Sequence, residues 1–342
     1  MPSMRLLSST NLHVEFNLFN GPSAVTGGYA ILSHVWQGVE QSHREMASLE
    51  DANATVDDPR VSIKARECCR LAQAYGLRWF WIDASCIDQR NSAELSEAVR
   101  SMHEWYAGAS ICFAYLADVE RPLDPALMDI RAAGSAFRRS AYFRRAWTLQ
   151  ELLAPRRLVF LYIDWSELGE KHDLADVLQE ITRIHPDVLT FRRPLSDFSV
   201  AHRLSWASGR DARRPEDKAY SLMGLFGIHM CVRYGEGVKA FRRLQEEILK
   251  MIRDHTLLAW DESQDTRNPS PLGPFAPSPA AFKSVSRLVA VNFKDFVAVM
   301  GPLCDASHSR EPVSLTLLAI GSLLANRYQV LATHRPSRPP RD

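Results

Sequence analysis

Four short apolar runs constrain this chain most: Tyr29–Val35, Arg78–Ile82, Ser110–Leu116 and Arg157–Ile163. They are rich in β-branched and aromatic residues and do not alternate apolar with polar positions, the pattern of strands buried on both faces. Segments with helical spacing separate them. In the clearest, Leu95, Ala98, Val99, Met102, Trp105 and Tyr106 fall on one stripe, and Asn91 followed by Glu94 gives a capping-box-like start. Strand and helix in alternation imply right-handed crossovers, hence an α/β fold whose parallel sheet is flanked by helices on both faces. Leu6 to Phe16 is expected to add an edge strand.

After Trp165 the pattern turns helical, with expected helices at Asp173–Ile184, Pro215–Phe226 and Val238–Ile252, the last striped by Phe241, Leu244, Ile248 and Ile252. The expected organisation is a sheet domain over 1–165, a helical region over 166–260 packed on it, and a linker with an irregular C-terminal segment over 261–342. Asp261–Pro279 is rich in Pro, Ser and Asp, and the final HRPSRPPRD should lack a packed structure. Lys and Arg number 41 against 40 Asp and Glu, a formal charge of +1, so no global field favours nucleic acid or an anionic membrane as partner. No apolar stretch approaches the roughly 18 residues of a membrane span. Six cysteines without C-x-x-C spacing read as reduced, mostly buried thiols, and a cytoplasmic protein is expected.

Asp83, Asp118 and Asp164 stand at or just beyond the carboxyl ends of three strands, and Ser33 and His34 end the first. In open α/β sheets that edge is where ligands bind. Ser33, His34, Asp83 and Asp88 are therefore expected to line one edge, with Trp36 and Trp81 available to stack on a base. Cys86 is a poor nucleophile, because the nearby Asp83 and Asp88 carboxylates would suppress its thiolate. Cys68-Cys69 lacks ligand spacing for zinc, and no metal site is expected. The run FRRSAYFRR matches a phosphate clamp in composition, but with no glycine-rich neighbour it reads as a solvated face. Tyr234-Gly235-Glu236-Gly237 reads as a turn ahead of the Val238 helix.

These segments, YAILSHVW, WFWIDASCIDQRNSAELSEAVRSMHEWYAGASICFAYLADV and YFRRAWTLQELLAP, closely resemble the HET (heterokaryon incompatibility) domain of fungal incompatibility proteins. LSWASGRDARRPEDKAYSLMGLFGIHM and YGEGVKAFRRLQEEI look like the segment that follows it in that family, so the resemblance covers roughly residues 5–260. The chain departs from the common pattern at Val35-Trp36-Gln37 (usually T-W-G), at Ala84-Ser85-Cys86-Ile87-Asp88 (T-C-C-I-D) and at Ala146, usually Gly. The order of elements is also similar to Toll/interleukin-receptor (TIR) domains, which implies a flavodoxin-like sheet. In the NAD-hydrolysing members of that class the Glu of a W-C-x-x-E-L box is catalytic. The matching position here is Glu151, in Trp147-Thr148-Leu149-Gln150-Glu151-Leu152. The resemblance thus implies self/non-self recognition leading to programmed cell death, with Glu151 as catalytic residue and Ser33, His34, Trp36, Asp83 and Asp88 as substrate-binding residues. NAD would be a substrate, with no bound cofactor. It implies self-association through the HET domain and binding to other incompatibility proteins. The alternative is a non-catalytic module that signals by homotypic assembly.

Overall fold

The computed structural model describes residues 3–123, 129–261 and 274–285. Seven strands form one mixed sheet: β1 (Met4–Ser8), β2 (Phe16–Phe19), β3 (Tyr29–His34), β4 (Trp79–Trp81), β5 (Ile111–Tyr115), β6 (Leu158–Leu161) and β7 (Glu167–Glu170), in the order β2-β1-β4-β3-β5-β6-β7. Between the strands run α1 (His43–Asp51), α2 (Ile63–Ala74), the single turn α3 (Asp83–Cys86), α4 (Ser92–Gly108), α5 (Ala136–Arg139) and α6 (Thr148–Leu153). All four expected strands form. β3 pairs in parallel with β4 and β5, and β5 in parallel with β6. Every residue of β3 and β6 is buried, which is what runs without alternation require.

The N-terminal segment supplies two strands rather than one. β1 pairs antiparallel with both β2 and β4, so it lies inside the sheet and leaves β2 at the edge. β7, antiparallel to β6, occupies a stretch that the sequence gives no reason to pick out, because Glu167-Leu168-Gly169-Glu170 is short and polar. Within the parallel core the first strand (β3) is central, the second (β4) lies on one side, and the third and fourth (β5, β6) lie on the other. This is the flavodoxin-like order, whose direction reverses between β3 and β5.

The Ala98–Tyr106 stripe of α4 is buried, and Trp81 meets Trp105 and Tyr106 edge-on, each at 5.8 Å between ring centroids. Asn91 caps α4, its Oδ1 accepting from the N–H groups of Ala93 (3.1 Å) and Glu94 (3.2 Å). The reciprocal half of the box is diverted. Glu94 accepts from Arg5 Nη1 (2.7 Å) and from the Asp88 N–H (2.9 Å), so it ties β1 to the turn before α4.

The chain divides into two compact units, Met1–Pro194 with Arg210–Leu244, and Leu195–Gly209 with the segment from Gln245 onward. The first holds the sheet, α7 (Ala175–Thr182), α8 (Pro186–Leu189), α10 (Asp217–Tyr220) and α11 (Met223–Phe226). The second contains α9 (Val200–Ser205), held where Asp254 Oδ2 accepts from the Val200 N–H (2.7 Å), and a reciprocal pair between Gln245 and the Ala276 backbone. The remaining helix, α12, spans Lys239–Met251. Most of the expected Asp261–Pro279 linker, with Cys304 and the HRPSRPPRD end, lies outside the described residues.

The chain enters β3 through Gly27 and Gly28, whose φ values of 83° and 78° lie in the left-handed region. At Gly28 a Cβ would also overlap Ser110 Oγ, whereas at Gly27 it would meet nothing within 4 Å. We expect Gly28→Ala to lose about 2–4 kcal/mol in urea unfolding and Gly27→Ala only about 1 kcal/mol, since the second variant adds strain without a clash. Equal losses would show that the close approach to Ser110 is unimportant.

Candidate active site

Successive residues of a strand point to opposite faces, so Ser33 and His34 at the end of β3 serve different surroundings. Ser33 Oγ donates to Glu151 Oε2 at 2.5 Å and shares a hydrogen bond of 2.9 Å with the Tyr142 hydroxyl. Glu151 is on α6 and only 4% exposed. Burial pushes its carboxyl up to about 8; the Ser33 bond opposes that rise, the Asp83 charge adds to it, and the Arg145 and Arg210 charges oppose it.

The helix carrying Glu151 is held at both ends. Thr148 Oγ1 donates to the Tyr142 carbonyl, and Arg210 Nη1 donates to Arg145 O and Thr148 Oγ1, both at 3.0 Å. Backbone bonds from the Ala146 N–H to Asp211 O (2.8 Å) and from the Asp211 N–H to Arg144 O (2.6 Å) fix the same turn. Asp217, on α10, accepts a bond from Trp147 and one from Tyr234 (3.0 Å). At the other end the buried Lys171 donates to Leu152 O (3.1 Å) and Pro155 O, satisfying carbonyls that the short helix leaves open. Burial lowers this ammonium to about 8.

Asp83, directly after β4, accepts from Trp36 Nε1 at 2.7 Å, which brings Trp36 and Asp83 to the Ser33–Glu151 side. His34 belongs elsewhere. Its Nε2 stands 3.5 Å from Glu40 Oε2, and Lys64 Nζ meets Glu40 Oε1 at 2.5 Å. Burial alone would raise the Glu40 carboxyl, but His34, Lys64 and the Gln37 N–H hold it at about 2. Asp88 is also outside the cluster, because the α3 turn carries it past the sheet edge. There its Oδ1 accepts from the Arg90 N–H at 3.0 Å. Thus the six expected site residues separate into Ser33, Glu151, Asp83 and Trp36, which the fold gathers, and His34 and Asp88, which it does not.

The other readings resolve locally. Asp164 accepts from the Ser166 N–H (3.0 Å) as a turn, and the Cys86 thiol, fully buried, is pushed up to about 12. In FRRSAYFRR, Arg138 pairs with Glu180 (2.7 Å) and Arg144 bonds to Arg139 O (3.3 Å), but the run also contains the buried Tyr142. Gly235 and Gly237 have φ of 100° and 61°, and their N–H groups donate to Glu216 Oε1, which forms the turn ahead of α12. No group of three or more His, Cys, Asp or Glu side chains among the described residues is placed to hold a metal ion. No helix among them is long and apolar enough to cross a membrane.

Where the strand order reverses, a narrow crevice of about 10 Å³, room for roughly one water, opens between the segments that follow β3 and β5. It is lined by Val35 and Gln37, by residues 115–118, and by 140–142. Asp118 braces one wall, its carboxylate accepting from Ser140 Oγ and the Ala141 N–H, each at 2.7 Å. Tyr142 lines the crevice and Glu151 lies behind it. Sequence reasoning missed Tyr142, Arg210 and Asp217. The signal for Tyr142 was its place at the head of the YFRRAWTLQEL box.

Residues 29–134 match the family model described as heterokaryon incompatibility protein (HET), and residues 239–298 match a domain of unknown function (DUF8212). The chain is 40% identical over 230 residues to vegetative incompatibility protein HET-E-1 of Podospora anserina. That alignment covers 67% of this chain and 17% of the relative, so the chain spans about a sixth of the relative's length. No solved structure matches the chain.

A carboxyl held at about 8 in the folded state and near its ordinary 4.5 in the unfolded chain binds more protons when folded between those values. The folded state therefore loses stability as pH rises from about 4.5 to about 8. Glu151→Gln, shaped like the protonated acid, lacks this loss. Urea unfolding at pH 5, 7 and 9 should show the variant gaining on the wild type by about 3–5 kcal/mol across the range. Parallel stability curves would mean that Glu151 ionises freely in the fold.

Proposed function

We propose, from the premise that this chain carries a heterokaryon incompatibility (HET) domain, that it acts in self/non-self recognition and triggers cell death by hydrolysing NAD. One observation carries the enzymatic part. A carboxyl with a raised proton affinity sits behind a crevice at the switch point of a parallel sheet, bonded to a hydroxyl and not to a guanidinium. A carboxyl perturbed by burial beside a charged partner at a switch point is a candidate reactive group.

Cleaving the nicotinamide–ribose bond releases neutral nicotinamide with the bonding electron pair and leaves oxocarbenium-like charge on the sugar. A carboxylate stabilises that charge and takes the proton that the attacking water gives up. Glu151 supplies the carboxylate, with Asp83 adding negative potential and the Trp36 indole fixed by its bond to Asp83. The crevice, at about 10 Å³, has room for roughly one water, so NAD binding there requires the segments after β3 and β5 to move apart. Clustering through the HET domain, alone or with other incompatibility proteins, would be the trigger.

The non-catalytic reading draws on a different observation, that Glu151 is 4% exposed and does not line the crevice itself. The assay that separates the two is release of nicotinamide from NAD by concentrated purified protein, paired with overexpression in cells. Wild type should release nicotinamide and kill. Glu151→Gln should lower release by about 100-fold or more and abolish killing, as loss of a transition-state partner does. Glu104→Gln, on the exposed side of α4, should stay within twofold of wild type. Killing without NAD loss by wild type would leave the interaction module as the function.

A further inference from the structure

Glu151 reaches the crevice only through other side chains. Its carboxylate takes the hydrogen of Ser33 Oγ at 2.5 Å, and Ser33 Oγ is 2.9 Å from the Tyr142 hydroxyl. A serine hydroxyl has one hydrogen. With that hydrogen on Glu151, the shared bond can only be donated by Tyr142. The Tyr142 oxygen then keeps its lone pairs, and Tyr142 is the member of the three that lines the crevice. Both Ser33 and Tyr142 are wholly buried, so bulk solvent does not compete for these bonds, and a water reaches Tyr142 only when the crevice opens to admit it.

We propose that Tyr142 is a catalytic residue of the site: it accepts a hydrogen bond from the water that attacks the sugar and carries that water's proton, through Ser33, to Glu151. The substrate in this statement rests on the NAD reading; the wiring rests on geometry alone. The transfer balances when it starts from ionised Glu151, the form that predominates above about pH 8. Water gives a proton to the Tyr142 oxygen as its O–C bond to the sugar forms, Tyr142 gives its own to Ser33, and Ser33 gives its own to Glu151. Both hydroxyl groups end neutral, Glu151 ends as the acid, and no oxidant or further reactant is needed. Burial raises the Tyr142 phenol well above its ordinary range, which keeps it protonated as a link and prevents it from being a base in its own right. The titratable and charged groups acting on Glu151 come from the elements around it: Asp83 after β4, Tyr106 on α4, Cys112 on β5, Tyr142 before α6, and Arg145 and Arg210 beside α6.

The test uses the full chain and two removals, Tyr142→Phe and Ser33→Ala, singly and together, with thermal melts confirming the fold. Glu151 protonation is followed by its infrared carbonyl band against pH, with Glu151→Gln identifying the band; nicotinamide release is measured alongside. Wild type should titrate near pH 8. Each single variant should move the midpoint to higher pH, and the double variant should move it no farther than Ser33→Ala alone, because one wire is cut in either place. Nicotinamide release should fall tenfold or more in kcat for each single variant, with KM within about twofold and no further fall in the double. Additive effects in the double variant, or a Tyr142→Phe midpoint identical to wild type, overturn the wiring. Nicotinamide release unchanged in Tyr142→Phe does the same. If wild type releases no nicotinamide, the NAD reading fails by itself, and the infrared midpoints still decide whether Tyr142, Ser33 and Glu151 act as one unit.

Discussion

The hydrogen bond between Ser33 and Glu151 joins residues 118 positions apart and is the point on which the rest of the site depends. A carboxyl removed from water loses several kcal/mol of hydration unless it is protonated or bonded. One hydroxyl partner gives partial relief only, so the side chain remains a strong proton acceptor. That condition exists because α6 is held against the sheet. Lys171 binds its last carbonyls, and Arg210, Asp211 and Asp217 bind its first turn. Loosening either end would let water reach Glu151 and return it toward an ordinary glutamate.

This bracing bears on where the functional unit ends. The HET family match stops at residue 134, but Glu151, Tyr142 and their supports Arg145, Lys171, Arg210, Asp211 and Asp217 lie beyond it within the same compact unit. The matched segment supplies β3, β4, α4 and β5, and hence Ser33, Trp36 and Asp83. The following segments supply the carboxyl and fix it.

The parallel core was legible because Tyr29–Val35, Arg78–Ile82, Ser110–Leu116 and Arg157–Ile163 lack alternation, and strands covered on both faces need no polar side. β7 was not, because a four-residue edge strand containing Glu167 and Glu170 owes its existence to pairing with β6 and carries no apolar signature of its own. At the site, Ser33, Asp83 and Trp36 followed from the rule that ligands meet the carboxyl ends of parallel strands, and Glu151 from a resemblance in a short box. His34 and Asp88 were grouped with them by the same rule, as residues at or past the ends of β3 and β4. The two-residue period of a strand turns His34 to Glu40 and Lys64, and one turn of helix carries Asp88 to Arg90. Tyr142 was hidden inside an arginine-rich run whose charges suggested a solvated face.

The most direct test of the site is to titrate NAD into the Glu151→Gln protein, following backbone amide chemical shifts by NMR. If the switch-point crevice is the binding site, the largest shifts fall at Val35, Gln37, residues 115–118 and 140–142, and spread to Ser33. Saturable shifts confined to another face, such as the β1–β2 hairpin or the β7 edge, would contradict this placement.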